Sequence, residues 1–256
     1  MNKIKYKGLA EKYNNYHGQP DNYFELQIEK IRKYLNVSSE KWEIKRILDV
    51  GCGAGRLMVP LIRKGGCFCT GIDNSADMIA ACQETTVIPL NLHTVGFDKF
   101  KTKFRYDGIY FSMSLHQMDK QKEMIKKAFN LLAKDGKLLI ITVSHKQFDE
   151  ILLNKYFPTL DEIDRKRFMD IKPLTEELSK YGDIECIEEQ TLYQQIPKKR
   201  YVEMIENKYI SSLQLISKKE LNAGVKQINN IKGKIISVPD CYTYIVVNKK
   251  WEEKSL

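Results

Sequence analysis

Residues 47–57 constrain the fold more than any other stretch of the chain. They read Ile-Leu-Asp-Val-Gly-Cys-Gly-Ala-Gly-Arg-Leu. A short apolar run, Ile47 to Val50, has the length of a buried strand. It meets three glycines at alternate positions, Gly51, Gly53 and Gly55. Leu57, Met58, Leu61 and Ile62 then recur at helical spacing. Glycine suits places where the backbone must turn sharply or where a ligand must lie against it. A helix starting just beyond the turn aims unpaired N–H groups back at that ligand. Asp49 stands before the turn. A carboxylate there repels a bare phosphate and suits a ligand that brings hydrogen-bond donors or positive charge. The competing pattern is the dinucleotide turn Gly-x-Gly-x-x-Gly, in which the third glycine comes one residue later, where this chain has Arg56. A glycine turn with no ligand is the third reading.

The segment Asp49-Val50-Gly51-Cys52-Gly53-Ala54-Gly55 resembles the first motif of the class I S-adenosylmethionine-dependent methyltransferases: an acid, an apolar residue, then Gly-x-Gly-x-Gly. The resemblance implies an α/β, Rossmann-like doubly wound sheet, mostly parallel with an antiparallel last strand. S-adenosylmethionine is the implied cofactor and S-adenosylhomocysteine the product. Asp49, Gly51, Cys52, Gly53 and Gly55 become candidate cofactor contacts.

Further along, Cys67 to Ile72 is a second apolar run closed by Asp73. The family's second strand ends in an acid that holds both ribose hydroxyls, and a carboxylate has the two oxygens this needs. Asn74 and Ser75 suit a helix cap at the same place. Met78 on the helix that follows is a candidate for packing on adenine, with a core role as its alternative. Val87 to Leu92 reads as a weak third strand. The family usually has an acid after it that meets the adenine amino group, and here Asn91 and Leu92 occupy the matching place. Tyr106 to Ser112 reads as the fourth strand; the resemblance implies a structural role for Asp107 and a place near the donor for Ser112 and the Leu115-His116 pair after it. His116 follows and would lie near the transferring methyl, either as a base or acceptor-orienting group, or in contact without proton transfer.

A lysine-rich helix over Lys120–Ala133 leads to an Asp135-Gly136 turn, with positive φ expected at Gly136. An apolar strand over Lys137–Val143 comes next. Phe148 to Tyr181 reads as helical, broken at Pro158 and Pro173. Strands are expected at Asp183–Leu192 and Cys241–Asn248, with a helical insertion between them. Residues 1–44 read as an N-terminal helical cap, in which Phe24, Ile28, Ile31 and Leu35 recur on one face. The remainder, 45–256, forms the cofactor-binding domain, with 144–181 and 198–232 as lid segments on the acceptor side. Tyr13 could touch the cofactor and Tyr16 and His17 the substrate, with ordinary packing of the aromatics as the alternative. Arg200 and Tyr201, with Met204, Tyr209 and Ser212, are further candidates on the insertion.

The 256 residues allow one sizeable domain, and 43% hydrophobic content supports a core. Net charge is +9, spread among interspersed acids rather than gathered with aromatics into a stripe, so nucleic-acid binding is not indicated. No leader or membrane-length apolar run is read, and the expected location is the cytoplasm. The six cysteines form no Cys-x-x-Cys pair and the four histidines do not flank them at zinc spacing. They read as small buried thiols, with no metal expected. The resemblance implies in-line methyl transfer to a small-molecule acceptor, with an RNA or protein acceptor, or cofactor binding without catalysis, as the alternatives; oligomeric state is not legible.

Overall fold

The computed structural model describes residues 22–40 and 43–250. Seven strands form one sheet: β1 (Lys45–Val50), β2 (Cys67–Asp73), β3 (Asn91–Thr94), β4 (Tyr106–Ser112), β5 (Leu132–Thr142), β6 (Gly182–Pro197) and β7 (Ile235–Lys249). Their order is β3-β2-β1-β4-β5-β7-β6. The first five run parallel, and β7 is antiparallel to both β5 and β6. The chain winds outward from β1 to β3, then returns to start β4 beside β1. That reversal opens a crevice at the carboxyl ends of β1 and β4, where open α/β sheets bind ligands.

Two apolar layers cover the sheet. Helix α1 (Asn22–Tyr34) and helix α2 (Met58–Arg63) cover one face, burying Ile28, Ile31, Leu35, Met58 and Leu61 against Ile47, Tyr110, Leu139 and Tyr244. Cys67 and Cys69 point into this layer, and the intervening Phe68 is 69% exposed. Helices α4 (Gln121–Leu131) and α8 (Ile171–Leu178) cover the other face, with Ile125, Phe129, Leu174 and Leu178 packed on Leu48, Ile109, Phe111 and Leu138. The segment 171–178 therefore belongs to the body rather than to the expected lid. Pro173 does not break α8, because it sits in the first turn, where its missing N–H has no intrahelical partner to lose. Helix α3 (Ala76–Glu84) follows β2.

Three local expectations shift. The third strand is Asn91–Thr94, and Val87 is fully exposed before it. The positive φ falls on Asp135 (61°), not Gly136. Asp tolerates that region through its short polar side chain. It lies in an irregular part of β5, where the partner register jumps from Tyr106↔Leu132 to Gly108↔Lys137. Lastly, β6 and β7 are much longer than their apolar runs.

That extra length builds a helical layer beyond the sheet, at the place of the expected lid. Pairing of β5 with β7 stops at Thr142↔Thr243, whereas β6 and β7 stay paired to Pro197↔Ile235. The two-stranded ribbon thus overshoots the carboxyl edge by roughly 25 Å at ~3.4 Å per residue. Gln147, on the short helix α5 (His145–Phe148), fixes its departure. Its buried amide accepts from Thr243 Oγ1 (2.7 Å) and donates to the Tyr242 and Gln190 carbonyls (3.2 and 3.3 Å). The ribbon carries α9 (Lys198–Glu206) and α10 (Lys218–Asn229), which pack on α6 (Leu152–Tyr156) and α7 (Pro158–Arg167). A second core results, made of Leu153, Phe157, Leu160, Tyr201, Ile205, Leu213 and Ile228. A side chain at Gly224 would overlap the Phe157 ring, which shows how closely α10 approaches α6 and α7.

Candidate functional site

The glycine turn lies at the carboxyl edge of β1, and its three glycines do different work. All have positive φ: Gly51 79°, Gly53 54° and Gly55 77°. A β-carbon at Gly51 would overlap Ser114, whose hydroxyl donates to the Val50 carbonyl. One at Gly55 would strike Cys82 on α3 and crowd Val59. These two are glycines because protein fills the space. Among the described residues, a β-carbon at Gly53 meets nothing within 4 Å. Gly53 alone leaves its open side for a ligand. Cys52 is buried, and its N–H and that of Gly51 both donate to the Ile72 carbonyl (3.0 and 2.8 Å). The turn is thereby bound to the end of β2.

Asp73 ends β2 beside Gly53. One carboxylate oxygen accepts the Gly53 N–H (3.0 Å) and the other the Ser75 N–H (2.8 Å). The Asn74 N–H also acts on this group, and a carboxylate has about four lone-pair sites, so accepting capacity remains for a ligand's donors. Burial raises its affinity for a proton, against the N–H groups of Ser75, Gly53 and Asn74. Ser75, not Asn74, caps α3 by accepting from the Met78 N–H (3.4 Å). Asn74 is exposed and Met78 is buried.

Asp49 is 2% exposed and accepts a hydrogen bond from the Tyr110 hydroxyl (2.5 Å). Burial pushes its carboxyl up to about 7; the Tyr110 hydrogen bond and the Arg56 charge oppose the shift, and Asp73 adds to it. A carboxylate so poorly solvated favours a ligand that brings positive charge or donors. Tyr110, which faces Asp49 from β4, is a site residue that the sequence reading missed. Its one available signal was parallel register, which pairs Asp49 with Tyr110.

The adenine side differs from expectation. Asn91 starts β3 opposite Thr70, and its amide donates to the Thr70 hydroxyl (2.8 Å). The residue level with Asp73 is Thr94, and the Val95 N–H donates to the Asp73 carbonyl (2.8 Å). Asn91 therefore stands three residues back from the carboxyl edge. Leu92 is half-buried, packed where a β-carbon on Gly71 would go. The segment at the edge is Val95-Gly96-Phe97, and a weak apolar run offered no period by which to place it.

At the end of β4, Ser112 is half-buried and Met113 takes a left-handed φ of 49°, with its N–H on the Ile141 carbonyl (2.9 Å). Such strain is retained where surrounding structure over-determines it. His116 stacks on Phe168 of the lid, with ring centroids 3.7 Å apart and 16° between planes. Arg167 donates to the Gln117 carbonyl oxygen, which turns the Gln117 amide nitrogen toward His116 Nε2 at 2.8 Å. Burial and then the Arg167 charge hold His116 well below its ordinary pKa. The ring is neutral, and Nε2 spends its lone pair on Gln117. A general base needs that lone pair, so this arrangement joins lid to body and offers no free base. Arg200 is exposed on α9, and Tyr201 and Met204 lie in the lid's own core. Tyr209 and Ser212 are half-buried and buried beside them. Tyr13, Tyr16 and His17 lie outside the described residues. Among the described residues no group of three His, Cys, Asp or Glu side chains is placed to hold a metal ion. No described helix is long and apolar enough to cross a membrane.

The methyltransferase-domain family matches residues 23–182. A protein of Geobacillus sp. (strain WCH70), provisionally named a methyltransferase, is 31% identical over 125 residues, covering 46% of this chain and 50% of its own. The chain spans about half the length of the curated relatives it matches. A solved structure from Anabaena variabilis, provisionally named a methyltransferase from an antibiotic biosynthesis pathway, superposes with a TM-score of 0.65 at 19% identity, covering 89% of this chain and 97% of that one. The plantazolicin methyltransferase BpumL, solved with S-adenosylhomocysteine, superposes with a TM-score of 0.57 at 13% identity, covering 95% and 90%. The chain belongs to the methyltransferase-domain family, the class I, Rossmann-like S-adenosylmethionine-dependent enzymes.

Proposed function

We propose that the chain transfers a methyl group from S-adenosylmethionine to a small-molecule acceptor held between the carboxyl edge and the helical lid. The observation that carries this reading is the open side of Gly53 next to the Asp73 carboxylate, which keeps accepting capacity beyond its backbone N–H partners. A flat, donor-bearing group can lie on the turn there, with a vicinal diol on Asp73. When bound, the donor supplies an electrophilic methyl on a sulfonium whose sulfur leaves as a neutral thioether.

The chain's own residues bind, orient and exclude water. Asp73 grips the sugar hydroxyls and Gly53 admits the adenosyl group. Asp49, oriented by Tyr110, faces the positive end. The lid closes the acceptor side through its own core and the His116–Phe168 stack. Because the leaving group is already good, alignment supplies most of what is required, roughly 7–11 kcal/mol where the geometry is near attack. That no triad stands out among the described residues is therefore no obstacle. The lid encloses a compact acceptor more readily than a polymer. BpumL, named for its action on plantazolicin, supports the small-molecule reading and, through its bound S-adenosylhomocysteine, the cofactor.

The test is incubation of the purified chain with methyl-labelled S-adenosylmethionine and a fractionated metabolite extract. Label moving to a compact metabolite supports the reading. Label on RNA or protein, or no transfer despite donor binding, contradicts it.

A further inference from the structure

The bend after β4 holds a strained residue at the edge where the donor would lie. Among the described residues, Asn36, Met113, Asp135 and Lys208 are the non-glycine residues with positive φ. Asn36 follows α1, Asp135 lies in the irregular start of β5 and Lys208 follows α9. Met113 is the one that stands at the carboxyl edge of the sheet, just past Ser112. Glycine suits such a backbone best, and Asn and Asp tolerate it through short polar side chains. Met113 has neither advantage. A residue kept in this conformation against its own preference points to a use for its side chain.

Hydrogen bonds on both sides fix the bend. The Met113 N–H donates to the Ile141 carbonyl of β5 (2.9 Å). The Ser114 hydroxyl donates to the Val50 carbonyl of β1 (2.5 Å), and its β-carbon fills the space that a side chain at Gly51 would take. Residue 113 is thus held between β5 and the glycine turn. The Met113 side chain packs on two clusters at once. One is the body core that contains Ile141; the other is the smaller group of Val143, Phe148, Phe168 and Cys241. The residue is only half-buried, so part of it still faces open space.

Sheet order places this spot relative to Asp73. β1 lies between β2 and β4. Strands about 4.8 Å apart put the end of β4 roughly 10 Å from the end of β2. A donor with its ribose hydroxyls on Asp73 and its positive sulfur facing Asp49 on β1 runs toward β4. Asp49 is level with Tyr110, so Met113 comes three residues further along, past the edge. The alkyl group on the sulfur is the part of the donor that comes up against it.

Resting on the methyltransferase reading above, we propose that Met113 is a specificity-determining residue for the donor: its side chain walls the space beside the sulfonium and limits the transferable group to methyl. An unbranched thioether chain fills irregular space closely and adds no charge beside a cationic centre. The bend holds that wall at one depth, because the bonds to Ile141 and Val50 leave it little freedom to slide. A larger alkyl group on the donor sulfur needs room that the Met113 side chain takes. One added methylene in a closely fitted apolar site costs about tenfold or more in binding.

The test compares S-adenosylmethionine with S-adenosylethionine by titration calorimetry of the intact chain at pH 7. The two carry the same charge and differ by one methylene on the sulfur. The native chain is expected to bind the methyl donor about tenfold more tightly or better. Met113→Gly is expected to bring the two donors within about threefold, and Met113→Leu, close in volume, to keep the preference. Met113→Gly should also melt above Met113→Ala, because both lack the long side chain and only glycine relaxes the backbone. Near-equal binding of the two donors by the native chain would overturn the proposal. So would a preference that survives in folded Met113→Gly, its loss in folded Met113→Leu, or a Met113→Ala that melts above Met113→Gly. The comparison on the native chain stands even where a variant does not fold. Failure of the native chain to bind S-adenosylmethionine at all is a different result, because it removes the methyltransferase reading itself.

Discussion

Replacing Asp49 by Asn separates the cost of the donor site from its use. The carboxyl of Asp49 is 2% exposed and its pKa is pushed up to about 7 from an ordinary 3.8, chiefly by burial. The folded state therefore holds the proton more tightly than the unfolded state. Stability is highest below the unfolded pKa and falls as pH rises from about 4 to about 7. Roughly three units at 1.36 kcal/mol each set a ceiling near 4 kcal/mol for what the wild-type chain loses across that window. Asn at 49 is neutral at every pH, and its carbonyl can still accept from Tyr110. Urea unfolding without ligand, at several points from pH 4.5 to pH 8, should show Asp49→Asn progressively more stable than wild type as pH rises. The opposite holds for the donor. A positive ligand favours the ionised carboxylate, so wild-type affinity for S-adenosylmethionine should rise by up to tenfold per unit as pH approaches 7 and then level off. In the variant it should be weaker and flat. Unfolding curves with the same pH dependence in both proteins would refute the claim that a buried, poorly solvated carboxylate stands at this position.

Asp73→Ala should weaken S-adenosylhomocysteine by about 2 kcal/mol, roughly 30-fold by calorimetry, since two charge-assisted hydrogen bonds are lost; unchanged affinity would remove Asp73 from the site. Gly53→Val should abolish donor binding because its side chain would enter the one open side of the turn, and normal affinity in a folded variant would contradict that. Gly55→Ala should instead destabilise the fold by overlap with Cys82, and Cys82→Ala should restore part of the loss in thermal unfolding; no rescue would place the strain elsewhere. His116→Ala should lower the melting temperature, through about 1 kcal/mol of lost ring stacking on Phe168. It should leave donor affinity unchanged, and His116→Phe should recover the stability. Loss of donor affinity in His116→Ala would instead place the ring against the cofactor.

The fold was legible where local pattern and tertiary role coincide. The strand of Ile47–Val50, the turn and Asp73 announce themselves because each carries its own chemistry in sequence order. Alternation put Cys67 and Cys69 on one face and Phe68 on the other. Legibility failed where long-range pairing decides. Nothing local distinguishes Gly55, filled by Cys82, from Gly53, which faces space. Asn91 stood in the right sequence neighbourhood, but register with Thr70 set it back from the edge. The lengths of β6 and β7 come from pairing with each other beyond the end of β5, which polar residues such as Gln190 and Gln194 do not signal. His116 was visible as an imidazole that the resemblance implies near the methyl. That its lone pair is spent on Gln117, which Arg167 orients, depends on a lid helix about 50 residues away.

The account rests on the bend after β1 being the donor's seat. Titration calorimetry of the purified native chain with S-adenosylhomocysteine, repeated on Asp73→Ala, tests this most directly. One saturable site per chain, weakened roughly 30-fold in the variant, is the predicted result. No heat of binding in a folded native chain, or equal affinity in the two proteins, would contradict it.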